Sequence, residues 1–205
     1  MSVNTVAPII LAAGQSTRFG SDKLLYKFEH NGNYAPLLIH TIARWLAVFE
    51  TINLVVSTES AELTSLIKES PYSSKVTLIE ALHAKKGISN SIKAGIKSNL
   101  RASAWLIGLA DMPFVSEKVL LQSKHALEQN ASITAPFFNH KRGNPVGFSA
   151  RYGDKLMTLK GDIGAKAIIQ NDKQLIHKIA SPDAAIFHDI DTVEDIRKSS
   201  VGAFS

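Results

Sequence analysis

The segment Val6-Ala-Pro-Ile-Ile-Leu-Ala-Ala-Gly-Gln-Ser-Thr-Arg-Phe-Gly-Ser-Asp-Lys23 decides how the rest of the sequence is interpreted. Its first six residues form a short apolar run that contains isoleucine and valine, which is typical of a buried strand. The next residues are small, and small residues let backbone N–H groups approach an anion closely. Arg18 and Lys23 then place two cations in the same loop. The segment therefore predicts a strand followed by a loop that binds a phosphate-rich ligand.

Short apolar runs alternate with helical patterns along the rest of the chain, which is typical of a parallel α/β sheet. Strands are predicted at 6–11, 52–57, 76–79, 104–109, 132–135, 146–149, 175–178 and 185–190. Helices are predicted at 37–49, 61–69, 88–99, 117–128, 151–159, 165–170 and 192–198. The pattern predicts a three-layer, doubly wound fold with a mostly parallel sheet. Ligands of such folds bind beyond the carboxyl ends of the strands.

The composition predicts a single domain. The chain has 205 residues, of which 45% are hydrophobic and 20% are charged, and no linker or internal repeat is visible. The stretch 136–147 is rich in Asn, Gly, Pro and basic residues, and we expect it to be a loop. It would separate an N-terminal half, 1–135, from a smaller region, 136–205, on the same sheet.

Several classes of protein are excluded or disfavoured. The chain has no cysteine, which excludes thiolate metal sites, disulfides and cysteine nucleophiles. No apolar run approaches the ~20 residues of a membrane helix, so no membrane partner is expected. The net charge of +5 suits an anionic small molecule or a nucleic acid. No recognition motif or basic stripe indicates nucleic acid, so none is expected. No basic residue precedes the apolar N-terminal run, so we expect cytoplasmic localisation rather than secretion.

The loop pattern L-A-A-G-x-S-x-R-x-G-x-x-K is neither a P-loop nor a dinucleotide fingerprint. It resembles the signature of the MobA-like nucleotidyltransferases, and especially of the molybdenum cofactor cytidylyltransferases. The resemblance implies a Rossmann-like nucleotidyltransferase fold, with residues 1–135 as the nucleotide-binding half and 136–205 as the acceptor-binding and closing region. Arg18 and Lys23 would be catalytic cations that bind the phosphates. The nucleotide-binding residues implied by this loop are Leu11, Ala12, Ala13 and Gly14.

A second element, Gly87-Ile-Ser-Asn-Ser-Ile-Lys-Ala-Gly95, opens the helix predicted at 88–99. It resembles a family element that contacts the base and sugar of the nucleotide, which makes Gly87, Asn90 and Ser91 candidate nucleotide-binding residues. Ser57 ends the second predicted strand and is a candidate at the same sheet edge. The alternative is that Ser89 or Asn90 only caps the helix.

Two aspartates are candidate metal ligands. Asp111 follows the strand predicted at 104–109 and matches the family's metal-binding Asp-Met-Pro element. The alternative is a turn-forming Asp before Pro113. Near the end of the chain, D-I-D-T-V-E-D-I resembles the family's D-I-D-T-P-E-D-L. We expect only one of Asp189 and Asp191 to face the metal, and the resemblance to related pyrophosphorylases implies that it is Asp191. The alternative is that one of the two caps the following helix. The cofactor implied is Mg²⁺, with Mn²⁺ as the alternative, because both carboxylates are hard oxygen ligands.

Two further segments resemble elements that line the acceptor side of the cleft in this family. They are Lys141-Arg-Gly-Asn-Pro-Val-Gly-Phe148 and Gly161-Asp-Ile-Gly-Ala-Lys166. Lys166 stands where the family usually has Arg, which keeps the charge but loses the bidentate fork. The acceptor-binding residues implied are Arg142, Asn144, Asp162 and Gly164.

The resemblance implies an enzyme that joins CMP from CTP to the phosphate of molybdenum cofactor and releases pyrophosphate. CTP and the cofactor would be its substrates, and a recipient molybdoenzyme or its chaperone a further partner. The Leu-Ala-Ala-Gly form favours the cytidylyl branch over the guanylyl branch. Guanylyl transfer, a different phosphorylated acceptor, and a non-catalytic carrier of the cofactor remain as alternatives.

Overall fold

The computed structural model describes residues 4–14 and 23–200, apart from the side chains of residues 163 and 197–200. Its strands are β1 (Val6–Leu11), β2 (Lys27–His30), β3 (Asn33–Pro36), β4 (Ile52–Ser57), β5 (Val76–Ala81), β6 (Ala104–Leu109), β7 (Ile133–Phe138), β8 (Lys141–Arg142), β9 (Val146–Ser149) and β10 (Ile176–Ala180). Its α-helices are α1 (Leu37–Leu46), α2 (Ala61–Glu69), α3 (Ile88–Lys97), α4 (Glu117–Glu128), α5 (Gly153–Met157), α6 (Lys166–Asn171) and α7 (Val193–Ser200).

Eight of these strands form one mixed sheet in the order β10-β7-β9-β6-β1-β4-β5, with β8 paired to β7. β1 lies between β4 and β6 and is parallel to both. β9 runs antiparallel between β6 and β7, and β8 is antiparallel to β7. The predicted mostly parallel sheet is therefore confirmed. β2 and β3 form a separate antiparallel hairpin.

The sheet separates two hydrophobic clusters, which makes three layers. Successive side chains of a strand point to opposite faces, so Ile10 belongs to one cluster and Ile9 to the other. Both side chains are fully buried. Apolar residues of α1, α2, α4 and α7 complete the first cluster, and residues of α3, α5 and α6 complete the second. The predicted three-layer architecture is confirmed.

The carboxyl ends of the central strands are held together beyond the strands themselves. The Ala12 N–H donates to the Val55 carbonyl at 2.8 Å, and the Ala110 N–H donates to the Leu11 carbonyl at 3.0 Å. The small-residue turn after β1 and the segment after β6 therefore lie side by side at one edge of the sheet.

The prediction of a strand at 185–190 is wrong. A 3-10 helix, Ala184–Phe187, begins where Asp183 Oδ1 accepts the Ala185 N–H at 2.9 Å. The Ile190 N–H donates to the carbonyl of Asp111, in a loop, at 2.9 Å. The backbone groups of this segment are thus satisfied by a side chain and a loop, and they need no strand neighbour.

The prediction of a loop at 136–147 is partly wrong. The β2–β3 hairpin was not predicted from the sequence. Part of the expected loop forms the hairpin between β7 and β8, which turns through Asn139 and His140 at positive φ. A capping box begins α7: the Thr192 N–H donates to Asp195 Oδ2 at 2.7 Å, and the Asp195 N–H donates to Thr192 Oγ1 at 3.3 Å.

Both predicted parts of the chain contribute strands to the main sheet. A single domain divided near residue 135 stays a prediction. None of the described helices combines the length and the apolar character required to cross a bilayer.

Candidate functional site

A cavity of about 390 Å³ lies beyond the carboxyl ends of β1 and β6, and we call it the strand-end cavity. It is lined by Leu11, Ala12, Ala13, Gly14, Lys23, Leu24, Ala84, Lys85, Gly87, Ile88, Ser91, Leu109, Ala110, Asp111 and Asp162. Residues 11–14, Gly87 and Ser91, which the sequence suggests as nucleotide-binding, therefore share a cavity with Lys23 and Asp111.

Three other predicted residues lie elsewhere or are not described. Ser57 lines an adjoining cavity of about 330 Å³, which shares Ala13, Gly14 and Lys85 with the strand-end cavity. Asn90 is half-buried and is not among the residues that line either cavity. Arg18 lies outside the described residues.

Lys23 joins two aspartates that are far apart in the sequence. Its ammonium lies 2.8 Å from Asp111 Oδ2 and 2.8 Å from Asp191 Oδ1. The Lys23 side chain is only 13% exposed, so solvent screens these ion pairs weakly. The predicted catalytic lysine and both predicted metal ligands therefore lie together at one end of the cavity.

Burial and the ion pairs have opposing effects on Lys23. Burial lowers the pKa of the Lys23 ammonium, but its hydrogen bonds to Asp111 and Asp191, together with their charges, outweigh burial. The net result is a pKa above the ordinary value for lysine. Lys23 is therefore firmly cationic at neutral pH.

Asp111 shows the opposite balance. Burial raises the pKa of this carboxyl, Lys23 lowers it, and the neighbouring charge of Asp189 raises it again. The net shift is upward, so the folded protein compensates the Asp111 charge only in part. Its Oδ1 atom is buried and accepts no hydrogen bond from the residues that the structure describes.

Asp189 joins this group, contrary to the expectation that only one of the two late aspartates would face the metal. Ligand atoms of Asp111, Asp189 and Asp191 all lie within 4.8 Å of one another. That expectation was wrong even for a strand, because only successive side chains alternate and residues two positions apart share a face. Residues 188–191 are irregular instead, and Ile190 is fully buried between the two aspartates. Both carboxylates can therefore approach Asp111.

The donor set fits a divalent metal ion. Three carboxylates converge, and hard oxygen ligands are those that Mg²⁺ and Mn²⁺ prefer. The buried and unpartnered Oδ1 of Asp111 is the observation that supports this fit best, because an unsatisfied buried carboxylate oxygen is costly. A bound cation would satisfy it.

The N-terminus of α3 is capped by a distant residue. The Ile88 N–H donates to Asp162 Oδ1 at 3.2 Å, and the Ser89 hydroxyl donates to the Gly161 carbonyl at 2.6 Å. The alternative that Ser89 or Asn90 caps this helix is therefore wrong. Gly87 has φ +114°, and a Cβ there would overlap the backbone of Gly161 and the carboxylate of Asp162. Gly87 is thus required by the contact between these two segments.

The predicted acceptor residues divide into two groups. Asp162 lines the strand-end cavity, and Gly164 packs against Ile88 of α3. Arg142 and Asn144 are not among the residues that line this cavity. Arg142 is half-buried, its pKa is lowered by burial, and its Nη1 donates to the Gly143 carbonyl at 3.2 Å.

The loop that carries Arg142 and Asn144 is nevertheless connected to the acidic cluster through the backbone. The Asn144 N–H donates to the Ile186 carbonyl at 2.9 Å, and Ile186 precedes Asp189 by three residues. A side chain at Gly143 would overlap Ile186. This close packing places the loop with Arg142 and Asn144 next to the segment that carries Asp189 and Asp191.

Lys85 is a cavity residue that the sequence did not indicate. From the sequence, Lys85 and Lys86 are interpreted as solvated charges. Lys85 indeed remains more than half exposed, but it lines both cavities and lies 2.6 Å from Glu59 Oε2. Its place two residues before Gly87 is the signal that could have identified it.

A family model described as the MobA-like NTP transferase domain matches residues 8–178. The chain belongs to this family. The match begins within β1, covers the residues that line the strand-end cavity, including Asp111, and ends before the segment with Asp189 and Asp191. The resemblance inferred from the sequence is thereby confirmed.

Known proteins agree with this membership. A probable molybdenum cofactor guanylyltransferase from Thermococcus sibiricus (strain DSM 12597 / MM 739) is 40% identical over 60 residues, which is 29% of this chain and 29% of the relative's own length. The crystal structure of Rv0371c from Mycobacterium tuberculosis H37Rv has a TM-score of 0.78 at 22% identity, covering 98% of this chain and all of the other. Its complex with manganese has a TM-score of 0.74 at 20% identity, with 96% and 98% covered.

A 4-diphosphocytidyl-2C-methyl-D-erythritol synthase from Anaerococcus prevotii DSM 20548 is also similar in structure. Its TM-score is 0.72 at 16% identity, and the match covers 97% of this chain and 96% of that one. At these identities the structural likeness shows a shared fold.

Proposed function

We propose that this nucleotidyltransferase joins CMP from CTP to the terminal phosphate of molybdenum cofactor and releases pyrophosphate. The observation that carries the proposal is the position of Lys23, within 2.8 Å of both Asp111 and Asp191, beside the small-residue turn at 11–14. This arrangement suits a reaction between two polyanions, in which repulsion between phosphates must be neutralised.

In the proposed reaction a phosphate oxygen of the acceptor attacks the α-phosphorus of the nucleotide. A new P–O bond forms, and the bond from the α-phosphorus to the pyrophosphate oxygen breaks. The attacking phosphate is already largely ionised near neutral pH, because its second pKa is about 6. The reaction therefore needs no strong general base, and positioning and charge neutralisation provide the catalysis.

The chain's own residues divide this work. Lys23 binds the phosphates and stabilises charge that develops on the leaving group, and Arg18 is proposed to act beside it. Asp111, Asp191 and Asp189 would hold a divalent cation, Mg²⁺ or Mn²⁺. When bound, this cation would neutralise phosphate charge between the nucleotide and the acceptor. The strand-end cavity keeps these groups at the border of a largely apolar interior, where charges interact more strongly than in water.

The backbone at residues 11–14 and the hydroxyl of Ser91 are proposed to bind the nucleotide, with Gly87 shaping the same wall. Ser57 would contribute from the adjoining cavity. Asn90 keeps its proposed role only if its half-buried side chain reaches the ligand. On the acceptor side, Asp162 lines the cavity, Gly164 lies against Ile88 of α3, and Arg142 and Asn144 lie on the loop packed against Ile186.

GTP is the second candidate nucleotide. The similarity to a probable molybdenum cofactor guanylyltransferase favours it, although that match spans 29% of the chain. The Leu11-Ala-Ala-Gly14 form, by its resemblance to the cytidylyl branch, favours CTP. The proposal extends to a cytoplasmic location and to a recipient molybdoenzyme or its chaperone as partner.

The experiment that tests the function is a matrix of CTP, GTP and ATP against purified molybdenum cofactor with Mg²⁺. The proposal expects pyrophosphate and the cytosine dinucleotide with CTP. A guanine dinucleotide instead would establish the second candidate. Binding of the cofactor without pyrophosphate from any nucleotide would contradict an enzyme and support a carrier.

Gly14→Ala is expected to weaken nucleotide binding without destabilising the fold. A Cβ at Gly14 would meet no atom of the described residues within 4 Å, and its φ lies outside the left-handed region that favours glycine. The fold therefore gives no reason for glycine here, and the added methyl group would occupy space in the cavity. We expect the KM for the nucleotide to rise by about ten-fold, the equivalent of ~1.4 kcal/mol.

The measurement is steady-state kinetics with CTP, combined with thermal melting. Gly32→Ala is a suitable comparison, since Gly32 also has open space around it but lies at φ +76°, outside the cavity. That variant should lose stability and keep its nucleotide KM. A Gly14→Ala enzyme with unchanged KM would remove residue 14 from the nucleotide site.

A further inference from the structure

Lys23 occupies the carboxylates to which the proposed function assigns a metal ion. Its ammonium contacts one oxygen of Asp111 and one oxygen of Asp191, each at 2.8 Å. The other oxygen of Asp111 is buried and unpartnered among the described residues, and Asp189 lies beside it. The ammonium therefore bridges two of the three carboxylates that converge at this end of the cavity.

We propose that Lys23 and a divalent cation compete for Asp111 and Asp191. In the metal-free protein the ammonium holds the two carboxylates. When a metal ion and a nucleotide bind together, Lys23 moves from the carboxylates to the phosphates. This inference rests on the proposed function, because it requires a site for a metal ion and a polyphosphate.

The oxygen atoms themselves argue for competition. A divalent ion binds carboxylate oxygens at about 2.0–2.2 Å, and an ammonium donates to them at about 2.7–2.9 Å. A metal ion and the ammonium on the same pair of oxygens would lie only a few ångströms apart and would repel each other. Even a metal ion that used the unpartnered Oδ1 of Asp111 would share the Asp111 and Asp191 carboxylates with the ammonium and lie within a few ångströms of it, so repulsion between the two cations makes them exclusive.

The donor capacity of lysine supports the same conclusion. An ammonium has three N–H donors, and Lys23 directs two of them at Asp111 and Asp191. One donor is then left for a phosphate oxygen. Lys23 can serve the phosphates fully only after it releases the aspartates, and a metal ion on those aspartates would compensate for the loss.

Two consequences follow for binding. A metal ion alone must displace Lys23 without offering it a new partner, so metal binding to the free enzyme is weakened. A nucleotide supplies phosphates that can bind the Lys23 ammonium in place of the carboxylates. Nucleotide binding therefore strengthens metal binding by more than the direct contacts between the phosphates and the ion would. Lys23 would thus link the arrival of the metal ion to the arrival of the nucleotide.

The test is a Mn²⁺ titration without nucleotide, followed by the electron paramagnetic resonance signal of free Mn²⁺. Lys23→Met removes the ammonium and keeps an unbranched side chain. We expect it to bind Mn²⁺ about ten-fold tighter than the wild type or better, because the competing cation is gone. An Mn²⁺ affinity equal to or weaker than that of the wild type would overturn the proposal. It would show that Lys23 holds the carboxylates in position for the metal ion.

Two matched controls separate competition from a general effect of charge. Lys85→Met removes a cation that lines the same cavity but pairs with Glu59. Lys155→Met removes one that pairs with Asp172 and is not among the residues lining the cavity. We expect Mn²⁺ affinities within about two-fold of the wild type for both. A gain in Lys85→Met as large as that in Lys23→Met would also overturn the proposal.

A crystal structure of the wild-type protein with Mn²⁺ decides the question if Lys23→Met does not fold. The proposal expects the Lys23 ammonium beyond hydrogen-bond distance from Asp111 and Asp191 when Mn²⁺ is bound. An ammonium still on both carboxylates beside the ion would contradict it. Neither measurement contains nucleotide or acceptor, so failure of the proposed reaction would leave these results unaffected, and failure of the competition would leave the reaction standing.

Discussion

Asp111→Asn is expected to lower turnover by about 10³-fold or more and to leave the fold intact, because metal ions stabilise transition-state charge by several kcal/mol. Asp111 follows β6 at the carboxyl edge of the sheet, and its Oδ1 is the buried, unpartnered oxygen of the proposed metal site among the described residues. Asparagine keeps the shape of the side chain and removes its charge. Turnover should be measured with saturating nucleotide and acceptor across a range of Mg²⁺ concentrations.

The same variant should not lose stability when no metal is present. The pKa of Asp111 is raised mainly by burial, so the contribution of this group to stability is lost as pH rises through that pKa. At neutral pH the charged carboxylate is therefore a net cost to the metal-free fold. Asparagine removes this cost but also removes one of the two carboxylate partners of the Lys23 ammonium, so Asp111→Asn should melt close to the wild-type temperature at neutral pH.

Asp172→Asn is the matched control for this experiment. It breaks an ion pair of the same 2.8 Å length, with Lys155, and Asp172 is not among the residues that line the strand-end cavity. Turnover of this control should stay close to that of the wild type. An Asp111→Asn enzyme with turnover within about ten-fold of the wild type would remove Asp111 from the metal site, since a lost ligand costs much more.

The central fold could be predicted because its signals are local. The apolar run at β1 and the small residues after it define a buried strand and its turn, and Ile9 and Ile10 are fully buried on opposite faces of the sheet. The periodic patterns of α2 and α4 give these helices with the predicted bounds. In such segments the hydrophobic period and the burial agree.

The missed β2–β3 hairpin also had a local signal. Asn31 and Gly32 both have positive φ, and Asn-Gly is a preferred pair for a two-residue hairpin turn. The strands on either side are four residues long and are partly exposed, so their apolar pattern is weak. The turn residues were the better predictor here.

The false strand at 185–190 had no local signal that could have corrected it. Ala185, Ile186 and Ile190 are buried, as a strand would require, and apart from the bond between Asp183 and the Ala185 N–H the backbone contacts that replace the strand are long-range. Asn144 and Asp111 provide those contacts, at 2.9 Å each, from loops distant in the sequence. The contact between Ile190 and Asp111 also holds the segment with Asp189 and Asp191 beside Asp111, so the long-range packing that replaces the strand brings the three carboxylates together.

In the candidate site, too, the residues in local motifs could be predicted and the long-range contacts could not. Lys23, Asp111 and Asp191 each stand in a recognisable motif, and the structure brings them together. The contact of Asp162 with α3 joins residues 74 positions apart, and the Lys85–Glu59 pair joins the 3-10 helix before α3 to the turn after β4. Such contacts depend on the packing of loops and leave no mark on the local pattern.

Lys23→Met is expected to lower kcat by about 10²–10³-fold, the usual cost of removing one group that stabilises transition-state charge. The KM for the nucleotide should rise much less, because charge on the leaving group develops only in the transition state. Lys155→Met serves as the control, since it removes a lysine from a pair of equal length that is not part of the cavity lining. Single-turnover kinetics with CTP and the acceptor would measure the effect. A Lys23→Met enzyme with wild-type kcat would remove Lys23 from the catalytic groups.

The stability of this variant should depend on metal in the opposite sense to that of Asp111→Asn. The pKa of Lys23 is raised in the folded protein, so its charge stabilises the fold below its ordinary pKa and that contribution is lost only as pH rises through the raised value. Lys23→Met should therefore melt below the wild type at neutral pH, because Asp111, Asp189 and Asp191 lose their cation. Added Mn²⁺ should raise its melting temperature more than that of the wild type, since a ligand that binds the folded state stabilises it. In Asp111→Asn the same addition should have little effect. Loss of turnover in both variants, with gain of metal binding in one and loss in the other, would separate the lysine that competes with the metal from the carboxylate that binds it.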